Sequence, residues 1–94
     1  MVVMANNKLG EVTFVFNRNP GVKQVYVTGD FLHWAPNAKK MSKLPDGSFR
    51  AKMALKPGQY QYKFVADGVW MNDAEAEKQV VNSFGTLNSV VHVA

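Results

Sequence analysis

One stretch, Gln59 to Trp70, constrains the fold of this chain more than any other: Gln-Tyr-Gln-Tyr-Lys-Phe-Val-Ala-Asp-Gly-Val-Trp. It alternates with a period of two. Tyr60, Tyr62, Phe64 and Ala66 fall on one face, and Gln59, Gln61, Lys63 and Val65 on the other. Such a segment reads as a half-buried strand, rings inward and amides outward. Asp67-Gly68 supplies the φ > 0 positions of a tight hairpin turn. The turn returns Trp70 beside the polar face, so glutamine, lysine and tryptophan share one outer surface where a ligand can dock.

Other segments repeat the pattern. From Glu11 to Asn17, Val12, Phe14 and Phe16 oppose Thr13 and Val15, and Asn19-Pro20-Gly21 reads as a turn. Between Lys23 and Gly29, Val25 and Val27 point inward, with Gln24, Tyr26 and Thr28 opposite. Asp30 to Lys43 forms the longest loop, with Phe31, Leu32, Trp34 and Met41 as its apolar members. Asp46-Gly47 marks another hairpin, after which Phe49, Ala51, Met53 and Leu55 alternate with Arg50, Lys52 and Ala54. Asn72 to Lys78 lacks an apolar stripe and reads as an exposed acidic loop. Short extended pieces follow around Val80 and Val81 and from Ser89 to Val93. About seven short strands with turns every ten residues or so, and no amphipathic helix, predict an antiparallel, immunoglobulin-like β-sandwich. Residues 1–10 read as a lead-in and residues 11–94 as one domain.

Ninety-four residues hold a single modest core. With no cysteine, disulfides and thiolate metal sites are excluded. The net charge of +4 is spread along the chain, denser only around Lys39 to Lys43, which suits solubility better than a nucleic-acid track. The first residues, Met-Val-Val-Met-Ala-Asn-Asn, have no basic flank and no apolar run of signal length, and no segment approaches a membrane span. A soluble protein in the cytoplasm is the expectation.

Catalytic patterns are missing. Glycoside hydrolysis needs two carboxylates across a cleft. Of the seven acids, Asp46 and Asp67 belong to turns, and Asp73, Glu75 and Glu77 lie in the acidic loop. Asp30 alone has an arguable site role, with backbone capping as its simpler one. His33 and His92 lack metal-ligand spacing. No nucleophile elbow, phosphate loop or dinucleotide fingerprint occurs, so the expectation is not an enzyme, with no cofactor and no metal.

The outer surface remains. A lone tryptophan on a small sandwich is usually part of the core. Here Trp34 follows a strand, Trp70 follows a hairpin turn, and the two flank the polar face that carries Lys63. Flat rings beside amides and an ammonium suit pyranose sugars, which present C–H groups on a flat face and hydroxyls at the rim. Thr86 and Asn88 read, on their own, as turn-shaping residues.

Three segments carry a family resemblance: Val25 to Trp34 (Val-Tyr-Val-Thr-Gly-Asp-Phe-Leu-His-Trp), Gln59 to Trp70, and Phe84 to Val91 (Phe-Gly-Thr-Leu-Asn-Ser-Val-Val). In order and spacing the chain resembles carbohydrate-binding module family forty-eight. That family includes the glycogen-binding domain of the AMP-activated protein kinase β-subunit and the early-set domains of isoamylases and branching enzymes. The resemblance implies a non-catalytic module for α-1,4-glucan, with glycogen, starch, maltooligosaccharide or cyclodextrin as ligand. It places Trp34 and Trp70 as sugar-stacking rings, Lys63 as a hydroxyl contact, and Thr86 and Asn88 as polar contacts. Phe84 stands where the kinase-type module has a leucine that enters the coiled glucan. Leu32 and His33 precede Trp34 where the family writes Phe-Asn-x-Trp. The chain is too short for a catalytic barrel of about 250 residues. Competing expectations are a protein-interaction or spacer domain of a glucan-metabolising enzyme or kinase assembly, and a β-domain that stacks single-stranded nucleic acid.

Overall fold

The computed structural model describes residues 2–4, 10–17 and 21–93. Their ten strands are β1 (Val2–Met4), β2 (Glu11–Phe16), β3 (Val25–Gly29), β4 (Lys39–Lys40), β5 (Ser42–Lys43), β6 (Phe49–Ala54), β7 (Gly58–Ala66), β8 (Val69–Met71), β9 (Lys78–Val81) and β10 (Leu87–Val93). They make two antiparallel sheets, one ordered β1-β2-β6-β5 and one ordered β4-β3-β7-β10-β9, with β8 paired to β7. The sandwich expected from the alternation is present, with more strands than the seven anticipated. Strand β1 lies inside the expected lead-in and pairs Val2 with Phe14. Strands β4 and β5 divide the expected long loop, and Met41 between them is buried, its N–H donating to Val25 O at 2.9 Å. Met1 and residues 5–9 of the lead-in, and Asn19 and Pro20 of the first expected turn, lie outside the described residues.

The core forms where the apolar faces meet. Val12, Phe14 and Phe16 of β2 and Phe49 of β6 face Val25 and Val27 of β3 and Tyr62, Phe64 and Ala66 of β7. Phe14 meets Tyr62 edge-to-face at 5.1 Å, and Phe16 meets Phe64 the same way at 5.3 Å. Such pairs add about 0.5–1.5 kcal/mol each beyond area burial.

Burial extends beyond the inward-facing residues of the alternating strands. Thr13 and Val15 are buried along with the inward face of β2. On the outer face of the larger sheet, Thr28 and Val65 are buried as well, and Thr28 Oγ1 has no hydrogen-bond partner among the described residues. Asp73 is not exposed with its acidic neighbours but 3% accessible. Tyr62 Oη donates to Asp73 Oδ2 at 2.7 Å, and Glu75 N–H donates to Oδ1 at 3.0 Å. Asp73 N–H donates to Ser89 Oγ at 2.7 Å, and Gln79 Nε2 donates to Asp73 O. A buried carboxylate survives only with such partners.

The Asp67-Gly68 turn forms as expected, with φ of 47° and 83°. It is also tied across the sheet: the N–H groups of Lys23 and Gln24 donate to the Asp67 carboxylate. These bonds, Gln24 first, hold Asp67 below the usual carboxylate range. A depressed carboxyl contributes stability above the unfolded value near pH 4 and loses it as pH falls through the folded value. The urea midpoint should therefore fall between pH 5 and pH 2.5, and fall less in Asp67→Asn. Equal drops in both proteins would remove Asp67 from the account of acid sensitivity.

Candidate functional site

Each wall of the site is built by a local device. At the end of β3 the chain makes a short 3-10 turn, Asp30–Leu32, closed by His33 at φ 54°. Trp34 follows at φ 57°, so two consecutive side-chain-bearing residues sit in the left-handed region. The turn is fastened at both ends. Trp34 N–H donates to Gly29 O at 2.9 Å, and Asp30 Oδ2 accepts the Gln61 N–H at 3.3 Å. Phe31 stacks on Phe14 at 5.9 Å and meets Tyr60 edge-on, anchoring the turn to the core. Gly29 is needed for close approach, because a Cβ there would run into Gln61 O and the Phe31 ring.

Trp70 owes its place to register. The pairing Val65↔Trp70 puts it on the outer face with Gln61 and Lys63. Ser89↔Tyr62 sets Asn88 beside Lys63 on that face. The third wall is the turn between β9 and β10, where Phe84 is 90% exposed. Asn82 organises this turn. Its Oδ1 accepts from Phe84 N–H at 2.9 Å and Thr86 N–H at 3.1 Å, and its backbone N–H donates to Thr86 O at 2.8 Å.

These parts enclose one open groove of about 910 Å³, lined by Trp34, Lys63, Trp70, Phe84, Thr86 and Asn88 together with Asp30, Gln61, Val81, Asn82 and Ser83. All six residues singled out from the sequence therefore line the same groove. Trp34 is half-buried and Trp70 43% exposed, and both line the groove. Lys63 Nζ donates to Thr86 Oγ1 at 3.0 Å. Asn88, only 5% exposed, donates through Nδ2 to Gln61 Oε1 at 2.9 Å. Asn82 was not anticipated, although an asparagine two residues before the apex of a Ser-Phe-Gly turn is a turn-forming signal. Asp30, given a capping role first, caps Gln61 and also lines the groove.

No group of three or more His, Cys, Asp or Glu able to hold a metal occurs among the described residues, and no helix among them is long and apolar enough to cross a membrane. The family model described as the glycogen recognition site of AMP-activated protein kinase matches residues 11–94. The chain is 37% identical over 83 residues to 5'-AMP-activated protein kinase subunit beta-1 of Sus scrofa, covering 84% of this chain and 62% of that protein. It is 39% identical over 83 residues to the Bos taurus beta-1 subunit and 34% identical over 79 residues to the Homo sapiens beta-2 subunit. Both alignments cover 84% of this chain and 28% of the relative. The chain thus spans less than two thirds of the length of each of these relatives. With residues 11–94 matched end to end, the chain belongs to the family of the AMP-activated protein kinase glycogen recognition site.

Proposed function

We propose that residues 11–94 form a non-catalytic module that binds α-1,4-glucan of the glycogen and starch type. Trp34 and Trp70 stack on pyranose faces, Lys63, Thr86 and Asn88 meet hydroxyls, and Phe84 reaches into the ligand. The observation that carries this reading is that these six residues, drawn from separate parts of the sequence, line one groove. Family membership supports glycogen as the ligand class, and the kinase subunits among its relatives make a kinase assembly the proposed setting. Among the described residues, Asp30 is the one carboxylate on the groove wall, where hydrolysis needs an opposed pair.

The isolated chain should be retarded in a native gel containing glycogen. Calorimetry with β-cyclodextrin or maltoheptaose should return a dissociation constant between micromolar and millimolar, roughly −8 to −4 kcal/mol, as suits an open groove. No heat with either ligand at millimolar concentration would reject the glucan reading and favour a spacer domain.

A further inference from the structure

We infer that the backbone of the Asn82–Thr86 turn fixes the hydrogen-bond polarity of the Thr86, Asn88 and Gln61 side chains, so that Thr86, Lys63 and Gln61 give protons and the ligand accepts them there. This rests on the glucan reading for its ligand, but its chemistry is set within the chain.

Two groups in this turn can only donate, the N–H of Phe84 and of Thr86. Both point at one end of the Asn82 amide, which must therefore be the oxygen. The other end is then the NH₂ group, which lies 2.7 Å from Thr86 Oγ1 and 2.9 Å from the Asn88 amide. Asn88 must turn its own oxygen toward that donor. Its nitrogen then faces Gln61 and donates to Oε1 at 2.9 Å, so Gln61 presents Nε2 to the groove. Thr86 Oγ1 receives two bonds, from Asn82 Nδ2 and from Lys63 Nζ, which fill both lone pairs. Its own proton is left to point away from both. Lys63 keeps two further N–H groups.

The chain of constraint runs from two backbone amides through Asn82, Thr86, Asn88 and Gln61 without a free choice. Each outward end of Thr86, Lys63 and Gln61 is therefore a donor. A sugar hydroxyl that meets it does so through a lone pair, with its proton turned to a neighbouring hydroxyl or to water. Asn82 is accordingly a positioning residue, and the Thr86 hydroxyl a specificity group.

The test has a ligand-free arm and a ligand arm. In the free protein, through-hydrogen-bond NMR couplings should run from Phe84 N and Thr86 N to Asn82 Cγ, and from Asn88 Nδ2 to Gln61 Cδ. Asn82→Asp replaces the NH₂ group with an acceptor and should reverse the relay, so that coupling runs from Gln61 Nε2 to Asn88 Cγ. A wild-type relay already running from Gln61 to Asn88 would overturn the assignment. In the ligand arm, Thr86→Val should weaken maltoheptaose binding about two- to twelvefold, the range for one hydrogen bond. Thr86→Ser, which restores the hydroxyl, should recover most of the affinity lost in Thr86→Val, and Asn82→Asp should lose at least as much as Thr86→Val. Unchanged affinity in Thr86→Val at unchanged melting temperature would refute the outward donor. A wild-type chain that ignores every glucan sinks the glucan reading and the ligand half of this inference together, while the couplings still decide the polarity.

Discussion

Tyr62→Ala should remove about 3–5 kcal/mol of folding stability, the range for deleting a large buried ring. Tyr62 is fully buried and touches both Phe14 and Phe64 edge-on, so its loss opens a cavity where the two sheets meet. The same substitution takes the donor from Asp73 and leaves a buried carboxylate short of a partner. Against a total of roughly 5–15 kcal/mol for a domain, the variant should be largely unfolded on modest heating. Tyr62→Phe separates the two effects. It keeps the ring and should lose about 1–3 kcal/mol from the hydroxyl alone.

The pair also predicts alkaline behaviour. Burial first, then the Asp73 hydrogen bond and charge, pushes the Tyr62 phenol far above its ordinary value of 10.0. A group raised in the folded state contributes stability that is complete below the unfolded value and lost as pH rises above it. Wild-type stability should fall above about pH 10 by up to about 1.4 kcal/mol per pH unit from this residue, and Tyr62→Phe should lack that component. Denaturant midpoints at pH 8 and pH 11 check it. Identical slopes for the two proteins would show that Tyr62 ionises as freely folded as unfolded.

The second large effect is on binding. Trp34→Ala and Trp70→Ala should each weaken glucan binding by about 1–3 kcal/mol, by analogy with bases stacked on aromatic rings. Neither ring belongs to the buried cluster between the sheets, so melting temperatures should stay near wild type. Lys63→Ala should lose less, on the order of 1–2 kcal/mol, because water replaces part of its hydrogen bonding. Melting curves beside glycogen gel shifts decide the matter. If the tryptophan variants lose stability in step with affinity, the rings are structural and the site assignment fails.

The core was legible because alternation states which side a residue takes, and Val12, Phe14, Val25, Val27, Phe49, Tyr62 and Phe64 all lie where it puts them. What alternation does not state is which later segment covers the other side, so Thr28 and Val65 were misread as open. Asp73 was misread for a related reason. A loop judged by its average polarity hides the one carboxylate that a tyrosine hydroxyl and a backbone N–H make affordable inside. In the groove, the tryptophans and Lys63 stood out as chemistry without a core role, whereas Asn82 works through other side chains and carries no such mark. The left-handed geometry at Trp34 was equally hidden, since a bulky tryptophan does not favour it by type.

The placement of the indoles has a spectroscopic consequence. The chain has two tryptophans, and both line the groove, while the rings between the sheets are phenylalanine and tyrosine. Excitation at the red edge of protein absorbance therefore illuminates the groove and leaves the core dark. Trp70 should emit further to the red than the half-buried Trp34, and single-tryptophan variants would resolve the two walls as separate colours. A melt followed by this emission tracks the groove, and one followed by far-ultraviolet dichroism tracks the sheets. Any gap between the two curves measures how far the groove loosens before the sandwich opens.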